Sequence, residues 1–428
     1  MNNIFLKHFD QKGFEKQTLI QKEVAQPLRN GQSVLGLSPT GSGKTLAFAL
    51  PLMESIIPQD GTQLIVLAPS QELAIQTTDV FREWASLIDL RVTSITGGAN
   101  VKRQIERLKK KPEIIVGTPG RILTLMNDRR IKTSEVKSLV FDEADELLTG
   151  ETLDDARQIE DQLKADTQLS FFSATNDLAL DDLKLWFDVD PVVIDVRKQD
   201  HTQGQVQHGF IETNNAGKVK LLKQLSRVKK FQGLVFFNHV STMEKVAAML
   251  KHEGVSVGKI AGHQVQIDRA SAMRRFKKKE LSLLMVTDVA ARGLDVDNLP
   301  AVINYDVPEN ITIYTHRVGR TGRMGRKGLV ITFGNDHDIR NLRKITNTLH
   351  FELERLMIAN RQVMTKKAFD QLPKVEKNIP KEVKKATKDN VHQEHIPSSK
   401  VKPKAITKPK NKGKKKHSKR KGMRKNHK

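Results

Sequence analysis

The sequence predicts an α/β protein with two parallel-sheet domains in tandem and a basic C-terminal tail. Short apolar runs alternate with longer, charged, helix-periodic stretches, the alternation breaks at a polar stretch, and the final segment is rich in Lys. Strands separated by helices pair in parallel, because a helical crossover returns the chain to the same edge of the sheet. We therefore expect domains at 1–197 and 206–365, a linker at 198–205 and a tail at 366–428.

The predicted strands are runs of β-branched or apolar residues. In the first domain they lie at 33–37, 63–67, 92–96, 113–116, 138–141 and 169–172. In the second domain they lie at 233–237, 256–260, 281–286, 301–304 and 328–333. Amphipathic stretches between the strands predict helices at 71–88, 101–109, 218–226, 242–253 and 265–277.

A glycine-rich loop follows the first predicted strand. Residues 38–45 have the letters SPTGSGKT, the pattern of a phosphate-binding loop. Such a loop surrounds phosphates with backbone N–H groups, while Lys44 would contact the β- and γ-phosphates and the Thr45 hydroxyl would bind Mg²⁺. The remaining residues predicted to line the phosphates are Pro39, Thr40, Gly41, Ser42 and Gly43.

A second motif, the acidic letters DEAD at 142–145, directly follows the predicted strand 138–141. Asp142 is predicted to hold Mg²⁺ through water, since Mg²⁺ keeps much of its hydration. Glu143 is predicted to act as the general base or to orient the attacking water. Carboxylates on turns are usually helix caps. Here they come after a phosphate-binding loop, and each of the two motifs lies at the C-terminal end of a predicted strand. This order indicates hydrolysis of a nucleoside triphosphate.

Charge is concentrated at the end of the chain. The formal net charge is +24, and residues 366–428 hold 23 Lys and Arg against 5 Asp and Glu, with a single aromatic residue, Phe369. Such a segment buries too little apolar surface to offset its ordering entropy, so we predict disorder. Its charge favours RNA or DNA as partner, with a solubilising extension as the alternative; no apolar anchor points to a membrane.

Composition excludes several classes of protein. The absence of cysteine excludes disulfides, Cys-type zinc sites and thiol catalysis. The N-terminus lacks the apolar core of a signal peptide, and no apolar run is long enough for a transmembrane helix. These observations predict a soluble, cytoplasmic protein.

Taken together, the motifs resemble those of DEAD-box RNA helicases of superfamily 2, over residues 1 to about 350. Each further motif is short, but their joint occurrence in one order is specific. They lie at 13–21, 69–74, 97–98, 118–121, 173–175, 236–238, 266–269, 287–295 and 316–323. The resemblance implies two RecA-like domains that face each other across a cleft, with ATP and Mg²⁺ as cofactors.

For the nucleotide, the resemblance implies contacts from both domains. Gln21 matches the residue whose amide recognises adenine, Phe14 belongs to the same motif, and Asp295 matches the residue that contacts the ribose. Phe5 matches an aromatic that stacks on the base, although simple packing of an amphipathic N-terminus stays open. Arg320 and Arg323 match arginine fingers that reach the γ-phosphate only when the domains close.

Coupling and RNA contacts are likewise implied by the resemblance. Residues expected to couple hydrolysis to domain arrangement are Asp145, Ser173, Thr175, His316 and Arg317, the last two by bridging the cleft. Residues expected to contact RNA are Pro69, Gly97, Gly98, Thr118, Pro119, Gly120, Arg121, Gln266, Arg269 and Thr287. Such contacts reach the RNA backbone and its 2′-OH groups, so RNA of any sequence would bind and short duplexes would be separated locally.

Four positions depart from the family pattern. Gln17 replaces a Pro, which would loosen the loop that carries Gln21, and Ser38 replaces an Ala in the phosphate loop. Gln71 replaces an Arg and loses a charge-assisted contact. Ala261 stands where a His is usual.

Two other functions stay open at this point. The chain could be an ATP-gated RNA clamp that nucleates a complex with little unwinding, or a DNA-directed motor of the same superfamily, which the DEAD letters and the Gln21 motif disfavour. The compact core and Lys-rich tail are similar to bacterial DEAD-box proteins linked to ribosome assembly, mRNA decay and growth in the cold. Ribosomal precursors and RNA-decay proteins are therefore candidate partners for an enzyme that acts as a monomer.

Overall fold

The computed structural model describes residues 1–175, 180, 182–200, 204–261, 264, 266–291, 299–322 and 325–372. All of these residues belong to one compact unit, which contains two β-sheets. Within the described residues, each sheet carries helices on its faces, as the sequence predicts for an α/β protein.

The first domain contains seven strands and nine α-helices within its described residues. The strands are β1 (Val34–Leu37), β2 (Leu64–Leu67), β3 (Val92–Ile95), β4 (Ile114–Gly117), β5 (Ser138–Asp142), β6 (Gln168–Ser173) and β7 (Val192–Asp195). The helices are α1 (Asn3–Gln11), α2 (Leu19–Arg29), α3 (Lys44–Met53), α4 (Gln71–Ala85), α5 (Val101–Leu108), α6 (Pro119–Asn127), α7 (Ala144–Leu147), α8 (Gly150–Glu160) and α9 (Leu183–Phe187). The strand order is β3-β4-β2-β5-β6-β1-β7, with every pair parallel.

The second domain repeats this order and extends it. Its strands are β8 (Val206–Glu212), β9 (Gly233–Phe237), β10 (Val257–Ile260), β11 (Leu283–Thr287), β12 (Ala301–Asn304), β13 (Gly328–Gly334), β14 (Leu353–Ala359) and β15 (Gln362–Thr365). Its helices are α10 (Asn215–Ser226), α11 (Val240–His252), α12 (Gln266–Lys277), α13 (Asp288–Ala291), α14 (Ile311–Val318), α15 (Asp336–Thr348) and α16 (Lys366–Gln371). The order is β10-β11-β9-β12-β13-β8-β14-β15, parallel except for the final pair.

The central strands of both sheets are buried on both faces, which explains why these strands are largely apolar. In β2, Leu64 and Val66 pack into one core cluster while Ile65 and Leu67 pack into another. Strand β9 divides its residues in the same way between two clusters of the second domain. A parallel sheet covered by helices on both sides requires this pattern, because alternate residues point to opposite faces.

All eleven predicted strands are confirmed within two residues at each end, but four strands, β7, β8, β14 and β15, were missed. Strand β7 is a short edge strand, and β14 and β15 form an antiparallel hairpin outside the βα alternation. The prediction that the tail begins at residue 366 is wrong: Lys366–Gln371 form helix α16, and Phe369 is only 6% exposed. One buried aromatic residue anchors this turn against β14, a tertiary contact that composition does not reveal.

Candidate active site

The sheet of the first domain divides the predicted site residues into two groups. The phosphate loop follows β1, the DEAD letters end β5, and Ser173 ends β6, so these motifs meet at one half of the sheet's C-terminal edge. Pro69, Gly97 and the 118–121 motif follow β2, β3 and β4 at the other half. The strand order reverses between the halves, at the position where α/β sheets bind ligands.

The phosphate loop leads into a helix whose N-terminus has no side-chain cap. Helix α3 begins at Lys44, and its N-cap Gly43 has φ +86°, a left-handed conformation that favours glycine. The Lys44 ammonium donates to the main-chain oxygens of Ser38, at 2.8 Å, and Pro39, at 3.1 Å. Ser42 and Ser38 share a buried hydrogen bond of 2.8 Å, so the serine that departs from the family pattern is accommodated.

Gln21 is tied to this loop. Its Oε1 accepts from the Thr18 N–H at 3.0 Å and its Nε2 donates to the Gly43 carbonyl at 3.2 Å. Thr18 and Gln21 form the capping box of helix α2, which fixes the start of this helix. Gln21 thus connects the segment after Gln17 to the phosphate loop.

The two aromatic candidates for base contact differ in exposure. Phe5 is fully buried, with its ring 5.9 Å from that of Trp84 in an edge-on arrangement. This burial supports packing and not stacking on a base, so the assignment of Phe5 to nucleotide binding is corrected. Phe14 is half-buried beside Phe9, with ring centres 4.9 Å apart, and keeps an accessible surface near the start of the Gln21 motif.

Two carboxylates meet at the end of β5. Asp142 is 3% exposed; burial and the charge of Glu143 raise its pKa to about 7, against the opposing effect of Lys44. Burial and Glu146 also raise the pKa of Glu143, while His316 and Arg320 oppose the shift. Glu143 has φ +57°, an uncommon conformation for a residue with a side chain, and such strain is typical of functional sites.

The donor set fits Mg²⁺. Two buried carboxylates with raised pKa values are stabilised as anions by a nearby divalent cation. Asp142 and the Thr45 hydroxyl would hold the ion, with water and phosphate completing its octahedral shell. No group of three or more His, Cys, Asp or Glu suited to a metal occurs in the described part of the chain.

A hydrogen-bonded path leads from the phosphate loop to Asp145, which is in charge contact with the second domain. The Ser38 N–H donates to the Ser173 carbonyl at 3.1 Å, and the Ser173 hydroxyl donates to the Thr175 carbonyl at 2.7 Å. The Thr175 hydroxyl donates to Asp145, whose Oδ2 lies 3.3 Å from His316 Nε2 across the cleft. The residues predicted to couple hydrolysis to domain arrangement are thus brought together, with the exception of Arg317.

His316 contacts Asp145 of the first domain, and it has a second partner there that the motifs did not identify. Its Nδ1 lies 2.8 Å from Glu146 Oε1. Burial lowers the pKa of His316, but the bonds to Asp145 and Glu146 outweigh it and raise the pKa to about 10. For Asp145, burial raises the pKa, yet His316 and Thr175 bring it below its ordinary value. The raised pKa of His316 and the lowered pKa of Asp145 both favour the charged forms of these two side chains.

Arg317 does not bridge the cleft in the contacts that the described residues make. It is 1% exposed and binds both carboxylate oxygens of Asp288, at 2.6 and 2.7 Å, within the second domain. It also donates to Asn238 Oδ1 at 2.8 Å and to the Asp306 carbonyl at 2.8 Å. The prediction of a cleft-bridging role is wrong for Arg317, because this guanidinium joins three strand ends of its own sheet.

The arginine-finger segment reaches the phosphate loop. Arg320 is 8% exposed, and its charge opposes the burial that raises the pKa of Glu143. Gly319 packs directly on Thr40: a methyl group at Gly319 would overlap the Thr40 hydroxyl and lie 2.6 Å from its Cβ. Arg323 and Asp295 lie outside the described residues.

The RNA candidates of the first domain form loops and helix starts at one edge. Gly98 has φ +66°, and the Gln71 amide covers Gly97 and Gly98, within 3.3 Å of the position of an added methyl group. Pro119 is the first residue of α6, whose N-terminus presents partial positive charge suited to phosphate. Thr118, Gly120 and Arg121 lie in the same turn, and Pro69 is half-buried after β2.

Arg269 makes a different contact from the predicted one. Its Nη2 lies 2.7 Å from Glu72 of the first domain, and its guanidinium also donates to the Ala261 carbonyl at 3.2 Å. This arginine therefore links the domains beside the RNA candidates. Thr287 ends β11 and is 7% exposed, and helix α12 begins at Gln266, whose side chain lies outside the described residues.

The fold and site define a two-domain α/β nucleotide hydrolase whose domains meet over a phosphate loop. The chain belongs to the DEAD-box ATP-dependent RNA helicases. The DEAD/DEAH box helicase family matches residues 18–183, and the helicase conserved C-terminal domain matches residues 217–325. The protein is accordingly an RNA helicase that uses ATP and is stimulated by RNA.

Individual relatives agree with this assignment. The chain is 39% identical to the probable ATP-dependent RNA helicase YfmL of Bacillus subtilis (strain 168), over 84% of this chain and 96% of YfmL. It is 33% identical to the DEAD-box ATP-dependent RNA helicase CshC of Bacillus cereus, over 84% and 91%. A structure of S. cerevisiae Dbp5 bound to RNA and ADP BeF3 matches with a TM-score of 0.75 and 29% identity, over 83% and 93%. No helix in the described ranges is long and apolar enough to cross a membrane.

Proposed function

We propose that this helicase hydrolyses ATP with Mg²⁺ in the cleft between its domains and uses domain closure to separate short RNA duplexes or remodel RNA–protein complexes. The observation that carries the proposal is the division of one sheet edge into a phosphate half and an RNA half, each contacted by the second domain. ATP and RNA would then favour the same closed arrangement, which is the requirement for coupling the two.

The chemistry assigns each residue a separate task. Lys44 would exchange its loop carbonyls for the β- and γ-phosphates, and Glu143 would orient and deprotonate the attacking water. Bound Mg²⁺ would neutralise charge on the phosphates, and Thr45 and Asp142 would hold it there. Arg320 would meet the charge that develops in the transition state, with Arg323 as its proposed partner. Because both arginines belong to the second domain, hydrolysis requires closure.

RNA would be held through its backbone. Pro69, the Gly97–Gly98 loop and the 118–121 turn would face the phosphates from the first domain, with Thr287 and Gln266 on the second. The related Dbp5 structure contains RNA and ADP BeF3, which supports the same arrangement here. We assign Arg269 to holding the RNA-side edges of the domains together, since its guanidinium is engaged by Glu72.

Strand displacement under multiple turnover tests the proposal. We expect ATP hydrolysis to rise on addition of single-stranded RNA and a short labelled RNA duplex to be separated only with ATP. An RNA clamp, the alternative, would hydrolyse ATP slowly and hold RNA without separating it. RNA and DNA strands of the same sequence provide the control, and equal stimulation by DNA would reject the RNA specificity.

We further propose that residues 373–428 add RNA affinity. They hold 21 Lys and Arg against 4 Asp and Glu. Truncation after Leu372 leaves helix α16 and its buried Phe369 intact, whereas truncation after Thr365 would remove them. If the segment neutralises phosphates, truncation should flatten the log–log salt dependence of RNA binding by about 0.7 for each phosphate that the segment neutralises in the full-length protein. An unchanged slope would leave a solubility role.

The cellular RNA would be identified by crosslinking and sequencing. Ribosomal precursors and the substrates of RNA-decay proteins are the proposed targets, on the basis of the resemblance to bacterial proteins of similar length and tail. If neither class of RNA is enriched over total cellular RNA in the crosslinks, both proposed targets are rejected.

A further inference from the structure

Glu146 directly follows the DEAD letters and belongs to none of the sequence motifs, yet it contacts the second domain. Its Oε1 lies 2.8 Å from His316 Nδ1, and the two side chains are 6% and 13% exposed. Asp145 takes the other ring nitrogen at 3.3 Å. Only the Nδ1 contact has the distance of a hydrogen bond with a free path to its acceptor, since Nε2 makes no hydrogen bond. Two carboxylates this close to a buried imidazole favour its protonated form.

Asp145 has a further partner within its own domain. Asp145 also accepts the Thr175 hydroxyl, and this bond lies entirely within the first domain. Asp145 is therefore part of the path to the phosphate loop whether or not the second domain is docked. The Glu146 contact with His316 crosses the cleft at the shorter distance.

The contact between Glu146 and His316 also compensates buried negative charge in the first domain. Glu143, Asp145 and Glu146 place three carboxylates within four positions of the chain, and all three side chains are largely buried in the docked arrangement. Buried like charges repel unless a cation compensates them. His316 and Arg320 bring that positive charge from the second domain, and they bring it only when the domains meet.

We propose that Glu146 is a positioning residue for domain closure: its carboxylate accepts from His316 Nδ1 across the cleft and holds the second domain in the arrangement that hydrolysis requires. This inference rests on the proposed function, in which closure precedes hydrolysis. It adds a carboxylate outside the DEAD letters to the machinery that joins the two domains.

The test compares two substitutions in the full-length protein. Glu146→Ala removes both charge and acceptor, whereas Glu146→Gln keeps an oxygen that accepts from Nδ1 and removes only the charge. The matched control is Glu151→Gln, which removes the same charge from an exposed site at the start of α8. The readout is the affinity for a fluorescent single-stranded RNA, measured with Mg²⁺ and AMP-PNP and again without nucleotide.

We expect Glu146→Ala to weaken RNA binding about tenfold or more with AMP-PNP, the range for losing a hydrogen bond to a charged group, and to leave binding without nucleotide unchanged. Glu146→Gln should fall between this variant and the wild type, and Glu151→Gln should match the wild type. Thermal unfolding of each variant checks that the fold is intact.

A double-mutant cycle with His316→Gln distinguishes a direct contact from an indirect one. If Glu146 acts through His316, adding Glu146→Ala to His316→Gln causes little further weakening of RNA binding. Additive effects, or an equal effect with and without nucleotide, would overturn the inference. Should the wild type show no gain in RNA affinity with AMP-PNP, the proposed function itself fails; a gain that Glu146→Ala retains in full rejects only the role of Glu146.

Discussion

Among the described residues, the ionic contacts at the two edges of the cleft differ in burial and in charge. On the phosphate side, His316 lies between Asp145 and Glu146, with side chains 13%, 0% and 6% exposed. On the RNA side, Arg269 pairs with Glu72, whose side chain is 27% exposed. The first contact depends on a group that titrates, whereas the second depends on a guanidinium that stays charged at every physiological pH.

This difference implies that the two edges of the cleft respond to different conditions. A buried contact is little screened by salt but depends on pH through its histidine. A more exposed ion pair is screened by salt and contributes less free energy. The phosphate-side contact should therefore dominate closure, and the RNA-side contact should adjust it.

Replacing Glu143, the proposed catalytic base, should have the largest effect on ATP turnover. It should block hydrolysis and leave domain closure intact. Glu143→Gln is expected to lower turnover by roughly 10²–10⁴-fold, the contribution of a positioned base, while ATP and RNA still bind. Both cleft contacts then persist, since closure requires ATP and release requires hydrolysis. Single-turnover hydrolysis and RNA dissociation rates measure the two parts, and near-normal turnover would remove Glu143 from its role.

A larger side chain at Gly319 should disrupt the phosphate-side contact between the domains by steric overlap, without a change in charge. A methyl group at this position would overlap Thr40 of the phosphate loop, yet Gly319 itself has φ −60°, which any residue adopts. We expect Gly319→Ala to lower RNA-stimulated ATP hydrolysis by roughly 5- to 150-fold, the cost of about 1–3 kcal/mol for an overpacked contact. Thermal stability should be unchanged or raised, because replacing a helical glycine restricts the unfolded chain.

The control for Gly319→Ala is the partner residue. Thr40→Gly removes the atoms that would clash, so the double variant should be no worse than Thr40→Gly alone. A loss of stability in Gly319→Ala, or additive losses of activity in the double variant, would contradict a cross-cleft origin.

The elements that the sequence predicted are those whose information is local. The strands could be predicted because both faces of each sheet are apolar, and the phosphate loop because its glycines and Lys44 are adjacent in the chain. Helix α16 was missed because a single residue, Phe369, anchors it. Phe5 stayed ambiguous because burial against Trp84 and stacking on a base both require an aromatic side chain.

Contacts across the cleft were the least predictable part of the site. Glu146 and Glu72 are ordinary glutamates on helices, and only the docked arrangement brings His316 and Arg269 to them. The same limit explains Arg317: the motif identified the residue, but its partners Asp288 and Asn238 come from separate strand ends. A signal existed only for Glu146, as an additional acid beside the DEAD letters.

Domain closure should depend on pH through the phosphate-side contact, because this contact contains His316. In the open protein an exposed His316 would have a pKa of about 6.5, and in the docked arrangement its pKa is raised to about 10. Closure then takes up a proton, so its stabilisation is fully present below pH 6.5 and is lost as the pH rises through about 10. Between these values RNA affinity with AMP-PNP should fall by up to tenfold for each pH unit.

His316→Gln is the matched variant, since its amide can still bond but does not titrate. It should bind RNA more weakly at pH 7 and show a flatter pH profile than the wild type. Parallel profiles for the two proteins would show that another group carries the pH dependence.

The RNA-side contact should give the smallest effect, and salt should reveal it. We expect Glu72→Gln to weaken RNA binding with AMP-PNP by roughly 2- to 5-fold at low salt, the range for a partly exposed ion pair. The loss of affinity should shrink as salt rises, because the pair is screened, whereas the loss caused by Glu146→Gln should stay nearly constant. Since RNA binding itself weakens with salt, the quantity to compare is the ratio of variant to wild-type affinity at each salt concentration.

Asp79→Asn, on the same helix with a side chain 65% exposed, controls for the change in net charge. If the Glu72→Gln ratio is independent of salt and the Glu146→Gln ratio is not, the assignment of a buried, pH-dependent edge and an exposed, salt-dependent edge is reversed.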